Sequence, residues 1–152
     1  MKKIIYTRTD GGVSVVGPAL DNQLATETEA EFMARIQALV VPGDAINPQV
    51  VDESVIPVDR TFRNALRQNG SLLMHDMPKC RDIWRGKLRE LRRPKMEALD
   101  TAYMQADERG DTVEKARIAA EKQQLRDVTA DARIEAAWTP EELKAVMPDI
   151  LK

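Results

Sequence analysis

Apolar and polar positions set three different rhythms along this chain, beginning with two short β-branched runs. Lys3-Ile4-Ile5-Tyr6-Thr7-Arg8 and Val13-Ser14-Val15-Val16 flank Thr9-Asp10-Gly11-Gly12, whose glycines supply the positive φ that tight hairpin turns require. The pattern predicts a β-hairpin ended by Gly17-Pro18. Thr26-Glu27-Thr28-Glu29 then has the Thr-x-x-Glu spacing of a capping box at Thr26 and Glu29. Behind it Ala30, Met33, Ile36, Ala38 and Leu39 to Val41 form a broad helical stripe with Phe32 beside it, closed by Pro42-Gly43. Val50-Val51 and Val55-Ile56, bounded by Pro48 and Pro57, predict one more strand at a sheet edge, where proline is tolerated.

From Asp59 the rhythm becomes helical. Residues 61–67 read as a short helical segment stopped by Asn69-Gly70, and Ser71-Leu72-Leu73-Met74-His75 as an apolar connector. Asp76 is placed to cap a long helix opening on Met77-Pro78, since proline is tolerated in a first turn. Its apolar stripe is Met77, Cys80, Trp84, Leu88 and Leu91, then Met96, Leu99 and Tyr103. Pro94 predicts a kink or a restart near Arg93. After Arg109-Gly110, the segment Asp111-Thr112-Val113-Glu114 caps a second helix whose apolar set is Val113, Ala116 and Ala120 with Ile118 and Leu125, antiparallel to the first. One or two further turns follow between Thr129 and Ala137, and Thr139-Pro140-Glu141-Glu142 starts a last helix carrying Leu143, Val146 and Met147. The expected fold class is α+β: a small ββαβ head over residues 1–59, then a mainly helical body over 60–152 containing a long helical hairpin.

Composition adds that only 4% of the 152 residues are aromatic, so aliphatic side chains and seven methionines must fill most of the core. The net charge of −2 hides a strong asymmetry: residues 60–95 carry +8, and the segments on either side carry −5 each. The basic middle either neutralises the acidic flanks of its own fold or meets an acidic partner or nucleic acid. The single cysteine excludes an internal disulfide framework. No apolar run reaches the ~20 residues that cross a bilayer, and the start is too short for a signal-peptide core, so no membrane partner is expected and the protein is expected in the cytoplasm of the cell that makes it.

The residues of chemistry are scattered. His75 and Cys80 are the only His and Cys, and a zinc site would need further ligands at no recognisable spacing. Cys80 also falls on the apolar stripe with Met77 and Trp84, where cysteine is commonly a small core residue. Gly11-Gly12 has no phosphate-loop sequence after it. The acidic pairs Asp107-Glu108 and Glu141-Glu142 sit at helix ends, where dipole and capping effects account for them. No catalytic, metal or cofactor residue is assigned, and the protein is expected not to be an enzyme. The candidate partner-binding residues are Arg81, Arg85, Arg89, Arg92, Arg93, Arg126 and Asp127, because guanidinium groups pair well with carboxylates on a protein surface. Nucleic acid is the lesser reading, since Trp84 and Tyr103 belong to the buried stripe and are lost as stacking platforms.

Four stretches carry a family resemblance: Ile56-Pro57-Val58-Asp59-Arg60-Thr61-Phe62-Arg63-Asn64-Ala65, Met77-Pro78-Lys79-Cys80-Arg81-Asp82-Ile83, Leu88-Arg89-Glu90-Leu91-Arg92-Arg93-Pro94-Lys95-Met96-Glu97-Ala98-Leu99-Asp100, and Lys122-Gln123-Gln124-Leu125-Arg126-Asp127-Val128. Together they resemble small proteins encoded near the tail and tail-fibre genes of tailed bacteriophages, the tail assembly chaperone-like group, over roughly residues 55–150. Leu66 stands where such proteins often have Trp. The resemblance implies a non-enzymatic assembly chaperone that binds phage tail or tail-fibre proteins in the host cytoplasm, with self-association left open. Two alternatives accompany it: a structural component that stays in the virion, at the tail, head–tail junction or capsid surface, and a DNA-contacting module using residues 79–95. Ion pairs from Arg89, Arg92 and Arg93 to Glu121 and Asp127 would make part of the resemblance a folding element.

Overall fold

Ile4, Ile5 and Tyr6 are consecutive and all buried, although neighbouring side chains on a strand point to opposite faces. The first strand is therefore covered on both sides. In the computed structural model, which describes all 152 residues, β1 (Lys2–Thr7) lies between β2 (Val13–Val16) and β3 (Ile46–Asp52) in an antiparallel sheet. Gly11 at φ 78° turns the β1–β2 hairpin, with the Gly12 amide donating to Asp10 Oδ1 at 2.8 Å. β3 is an edge strand, which accommodates Pro48. It stops at Asp52, whose carboxylate accepts the Ser54 amide and starts a 3-10 turn, so Val55 and Ile56, which the sequence pattern places in the strand, lie beyond its end.

Helix α1 (Glu29–Val40) covers the Ile4 face with Phe32 and Met33, joined by Val16, Ile36 and Val41. Its capping box is Thr28 with Glu31, two residues beyond the predicted Thr26 and Glu29. Both pairs have the right spacing, but only the later one leaves Glu27 to hold Arg35 in a 2.8 Å ion pair. Hydrogen bonds from Arg35 to Glu27, and from the Thr28 backbone to Glu31, hold both carboxyls below the usual glutamate range. Phe32 is central to the packing, whereas Leu39, expected on the stripe, is 70% exposed.

The second face of β1 faces a feature absent from the sequence expectation. Residues 61–75 form no helix and connector. A 3-10 turn at Arg63–Ala65 leads into β4 (Leu66–Asn69), which pairs antiparallel with β5 (Leu72–His75). Asn69 pairs with Leu72, and Gly70, at φ 60°, takes the first place of the two-residue turn, as a type II′ turn demands. Gln68 fastens this hairpin to the sheet: its amide accepts from Thr7 Oγ1 at 3.0 Å and donates to the carbonyl of Asn47 at 2.7 Å. Asn47 is the one non-glycine residue at positive φ, beside the irregular register of the β1–β3 pair. The first compact unit thus runs from Met1 to Asp76, past the expected boundary at residue 59.

The second unit, Met77–Lys152, is helical. α2 (Met77–Glu108) is one 32-residue helix with Pro94 inside it, so it does not restart near Arg93. α3 (Thr112–Asp127), capped by Asp111 and reached through Gly110 at φ 65°, returns along it as a helical hairpin. Ile118 and Leu125 are buried, but Val113, Ala116 and Ala120 are exposed, because α3 meets α2 along a narrower line than the predicted set requires. Lys122 pairs with Asp100 at 2.5 Å, and the Tyr103 ring lies 5.4 and 5.3 Å from the ammonium groups of Lys115 and Lys122. The short helices α4 (Ala132–Ala136) and α5 (Pro140–Ala145) complete the chain. No helix is long and apolar enough to cross a membrane.

The turn chemistry of β4–β5 predicts a contrast between two glycines that both face open space. Gly70→Ala should weaken the first unit by about 1 kcal/mol, because an L-residue is strained at positive φ. Gly43→Ala, where φ is ordinary, should be neutral or slightly stabilising. Hydrogen exchange at the β1 amides measures both. Equal effects would remove the assigned turn from the account.

Candidate partner-binding surface

Every α-helix leaves its last carbonyls without intrahelical donors, and the second unit contains several helix ends close together in sequence. α2 supplies donors for them from side chains rather than backbone. Arg81 donates to the carbonyls of Ile134 (3.2 Å) and Ala137 (2.9 Å). Trp84 Nε1 donates to Val146 at 3.0 Å, and Arg85 to Thr129 at 3.4 Å. Arg92 donates to Leu125 (3.1 Å) and Arg126 (2.9 Å), and Lys95 to Ile150 (2.6 Å) and Lys152 (3.2 Å). These acceptors are the C-terminal ends of α3, α4 and α5 and of the 3-10 turns after them. Cationic side chains also suit the negative end of a helix dipole.

The predicted binding residues therefore divide. Arg81, Arg85 and Arg92 are held inside the unit, the first two also near Glu135, with Arg85 paired to it directly. Arg89, Arg93 and Arg126 are exposed, and their side chains make no hydrogen bond or ion pair. Asp127 accepts a 2.8 Å hydrogen bond from Gln123. The expected pairs from Arg89, Arg92 and Arg93 to Glu121 and Asp127 do not form: Glu121 belongs to Arg117 at 3.0 Å, and Arg92 is taken by carbonyls.

A residue that sequence reasoning passed over is the most exposed aromatic of the unit. Trp138 is 81% exposed. It precedes Thr139, which caps α5 with Glu142 in a complete capping box, and its own backbone N–H donates to Glu142 Oε2 at 2.8 Å. An apolar residue at that position commonly folds down on the fourth residue of the helix. Here that residue, Leu143, is fully buried while Trp138 stays largely in solvent. Beside the turn, Ala136, Ala137, Ala145 and Val146 line a shallow hollow with Arg133 and Glu142. Asp131 caps α4 and accepts from Arg133 at 2.6 Å, and this bond, then that from the Arg133 backbone, holds its carboxyl below the ordinary aspartate range. The available signal was a tryptophan immediately before a capping box.

Cys80 is fully buried on α2, and His75 packs edge-to-face on Phe62 at 6.4 Å in the first unit. No three His, Cys, Asp or Glu side chains are grouped as a metal ion requires. No protein-family profile, curated protein or solved structure matches this chain.

Trp84 combines core packing with one of the carbonyl bonds, so two replacements separate its roles. Trp84→Ala should cost about 3–5 kcal/mol, as large-to-small changes in cores do. Trp84→Phe should retain part of the packing but leave the Val146 carbonyl without its donor, a loss of about 1–3 kcal/mol. Urea titration distinguishes them. A Trp84→Ala cost below about 1 kcal/mol would contradict the burial of this side chain.

Proposed function

We propose that this chain is a non-enzymatic, protein-binding factor of a tailed bacteriophage that acts during assembly of the tail or tail fibre. The observation that carries the binding role is Trp138, a large apolar side chain left 81% exposed on a turn pinned by a capping box. Tryptophan dominates protein interfaces out of proportion to its number, because one side chain removes a large apolar area from water without losing many rotamers. The exposed Arg89, Arg93 and Arg126 offer forked donors to carboxylates of a client. The phage setting rests on the resemblance of residues 55–150, and with it the host cytoplasm as the place of action.

The internal use of α2's cations favours a protein client over DNA. Within residues 79–95, Arg81, Arg85, Arg92 and Lys95 donate to carbonyls of the same unit, and Lys87 lies 4.0 Å from Glu90. Few cations remain to displace counterions from a duplex, and salt-dependent affinity scales with the number of phosphates neutralised. A component retained in the virion is the second reading, because the same exposed tryptophan would serve a permanent contact.

Two measurements test the proposal. Co-expression with the tail and tail-fibre proteins of the phage should give a defined complex that Trp138→Ala weakens at least about tenfold, since interface tryptophans commonly contribute 2 kcal/mol or more. The variant's own unfolding midpoint should stay the same. Purified virions should lack the protein; its presence in stoichiometric amount would replace the assembly reading with the structural one. Unchanged capture by Trp138→Ala would remove Trp138 from the interface.

A further inference from the structure

The first unit contains a cleft of about 320 Å³ whose polar lining includes Arg8, Arg60 and Arg63, with Ser14, Asn64 and Asp59. Two of these arginines stand on one β-turn. The amide of Arg63 donates to the carbonyl of Arg60 at 3.2 Å, making them the first and last residues of a β-turn, so their Cα atoms lie within about 7 Å. Phe62, between them, is 2% exposed and packs on His75. Before them Asp59 Oδ1 accepts the Thr61 amide at 2.8 Å. The backbone is thus fixed on both sides of the two arginines.

Arg8 is fixed differently. Its guanidinium donates to Asp10 (3.2 Å), to the Val13 carbonyl (3.2 Å) and to Ser14 Oγ (3.3 Å). It lies over Gly12, where a Cβ would collide with it. By contrast, the side chains of Arg60 and Arg63 are exposed to solvent at the mouth of the same cleft. With Arg8 paired to Asp10, the two arginines of the turn and Asp59 leave the lining at net +1, and its apolar part comes from Val15, Ile56 and Leu66.

We infer that this cleft binds a small phosphate monoester, with the phosphate between Arg60 and Arg63 and the organic group against the apolar lining. A monoester is close to dianionic at neutral pH and presents three acceptor oxygens. Paired guanidinium forks match that geometry, and the turn keeps the two arginines within reach of one phosphate. A carboxylate has half the charge and fewer oxygens.

Calorimetric titration of the full chain with phenyl phosphate, inorganic phosphate and benzoate tests this. Phenyl phosphate should bind one-to-one, about tenfold tighter than inorganic phosphate, through its buried ring. It should also bind about tenfold tighter than benzoate, because a dianion engages both arginines. Arg60→Gln and Arg63→Gln should each weaken phenyl phosphate binding at least about tenfold, as the loss of a charged hydrogen-bond partner does. Arg117→Gln, in the second unit, should leave it unchanged, and melting curves confirm that the variants fold. Arg63→Lys, which keeps the charge without the fork, should fall between wild type and Arg63→Gln. No saturable binding, binding indifferent to Arg60 and Arg63, or equal affinity for benzoate would overturn the assignment. Free O-phosphoserine should bind as tightly as the same residue within a peptide; a tenfold preference for the peptide would overturn the small-ligand class.

Discussion

A carbonyl at the C-terminal end of a helix needs a donor from elsewhere, and the second unit is built from helices too short to hide that need. α4 has five residues and α5 six, lengths at which isolated helices are unstable in water. Their termini are held because α2 presents a ladder of long donors, from Arg81 and Trp84 through Arg85 and Arg92 to Lys95, each reaching a carbonyl many residues away in sequence. The Arg81 side chain is 16% exposed and that of Arg85 24%, so these bonds are partly shielded from water. Bonds of this charged kind contribute about 1.5–3 kcal/mol. The basic middle of the chain is in large part a framework for its own C-terminal third.

That framework changes how the surface is read. Charge density alone would make all of residues 79–95 a binding face, whereas the geometry leaves only some of its cations in solvent. What remains for a partner is defined by subtraction: Arg89, Arg93 and Arg126 among the cations, and Trp138 among the apolar groups. In the first unit the same reasoning separates Arg8, tied to its own hairpin, from Arg60 and Arg63, which stand exposed at the two ends of the Phe62 turn.

Features settled by short-range chemistry were legible in the sequence. The Gly11 turn, the Asp111 cap of α3 and the Thr139–Glu142 box needed only neighbouring residues. The α1 start was ambiguous because Thr26 and Thr28 offer equivalent boxes, and Arg35, eight residues beyond Glu27, favours the later one. The β4–β5 hairpin was hidden for a similar reason: Asn69-Gly70 ends a helix as readily as it turns a hairpin. The deciding bonds run from Gln68 to Thr7 and Asn47. Along α2 the periodicity correctly placed Cys80, Trp84 and Leu88 in the core. It could not show that the acceptors of the arginines are backbone carbonyls, because their destinations follow from the tertiary path of residues 125–152. Trp138 carries a local signal in its place before the Thr139–Glu142 box, but its exposure depends on the tertiary packing of the unit.

The most direct test of the carbonyl ladder compares two arginines of the same helix by urea unfolding. Arg81→Gln removes donors to Ile134 and Ala137, and the account predicts a loss of about 1–3 kcal/mol. Arg89→Gln removes an equal charge from an exposed position, and a change within about 0.5 kcal/mol is predicted. Equal effects of the two substitutions would mean that charge, and not the bonds to helix-end carbonyls, holds the second unit together.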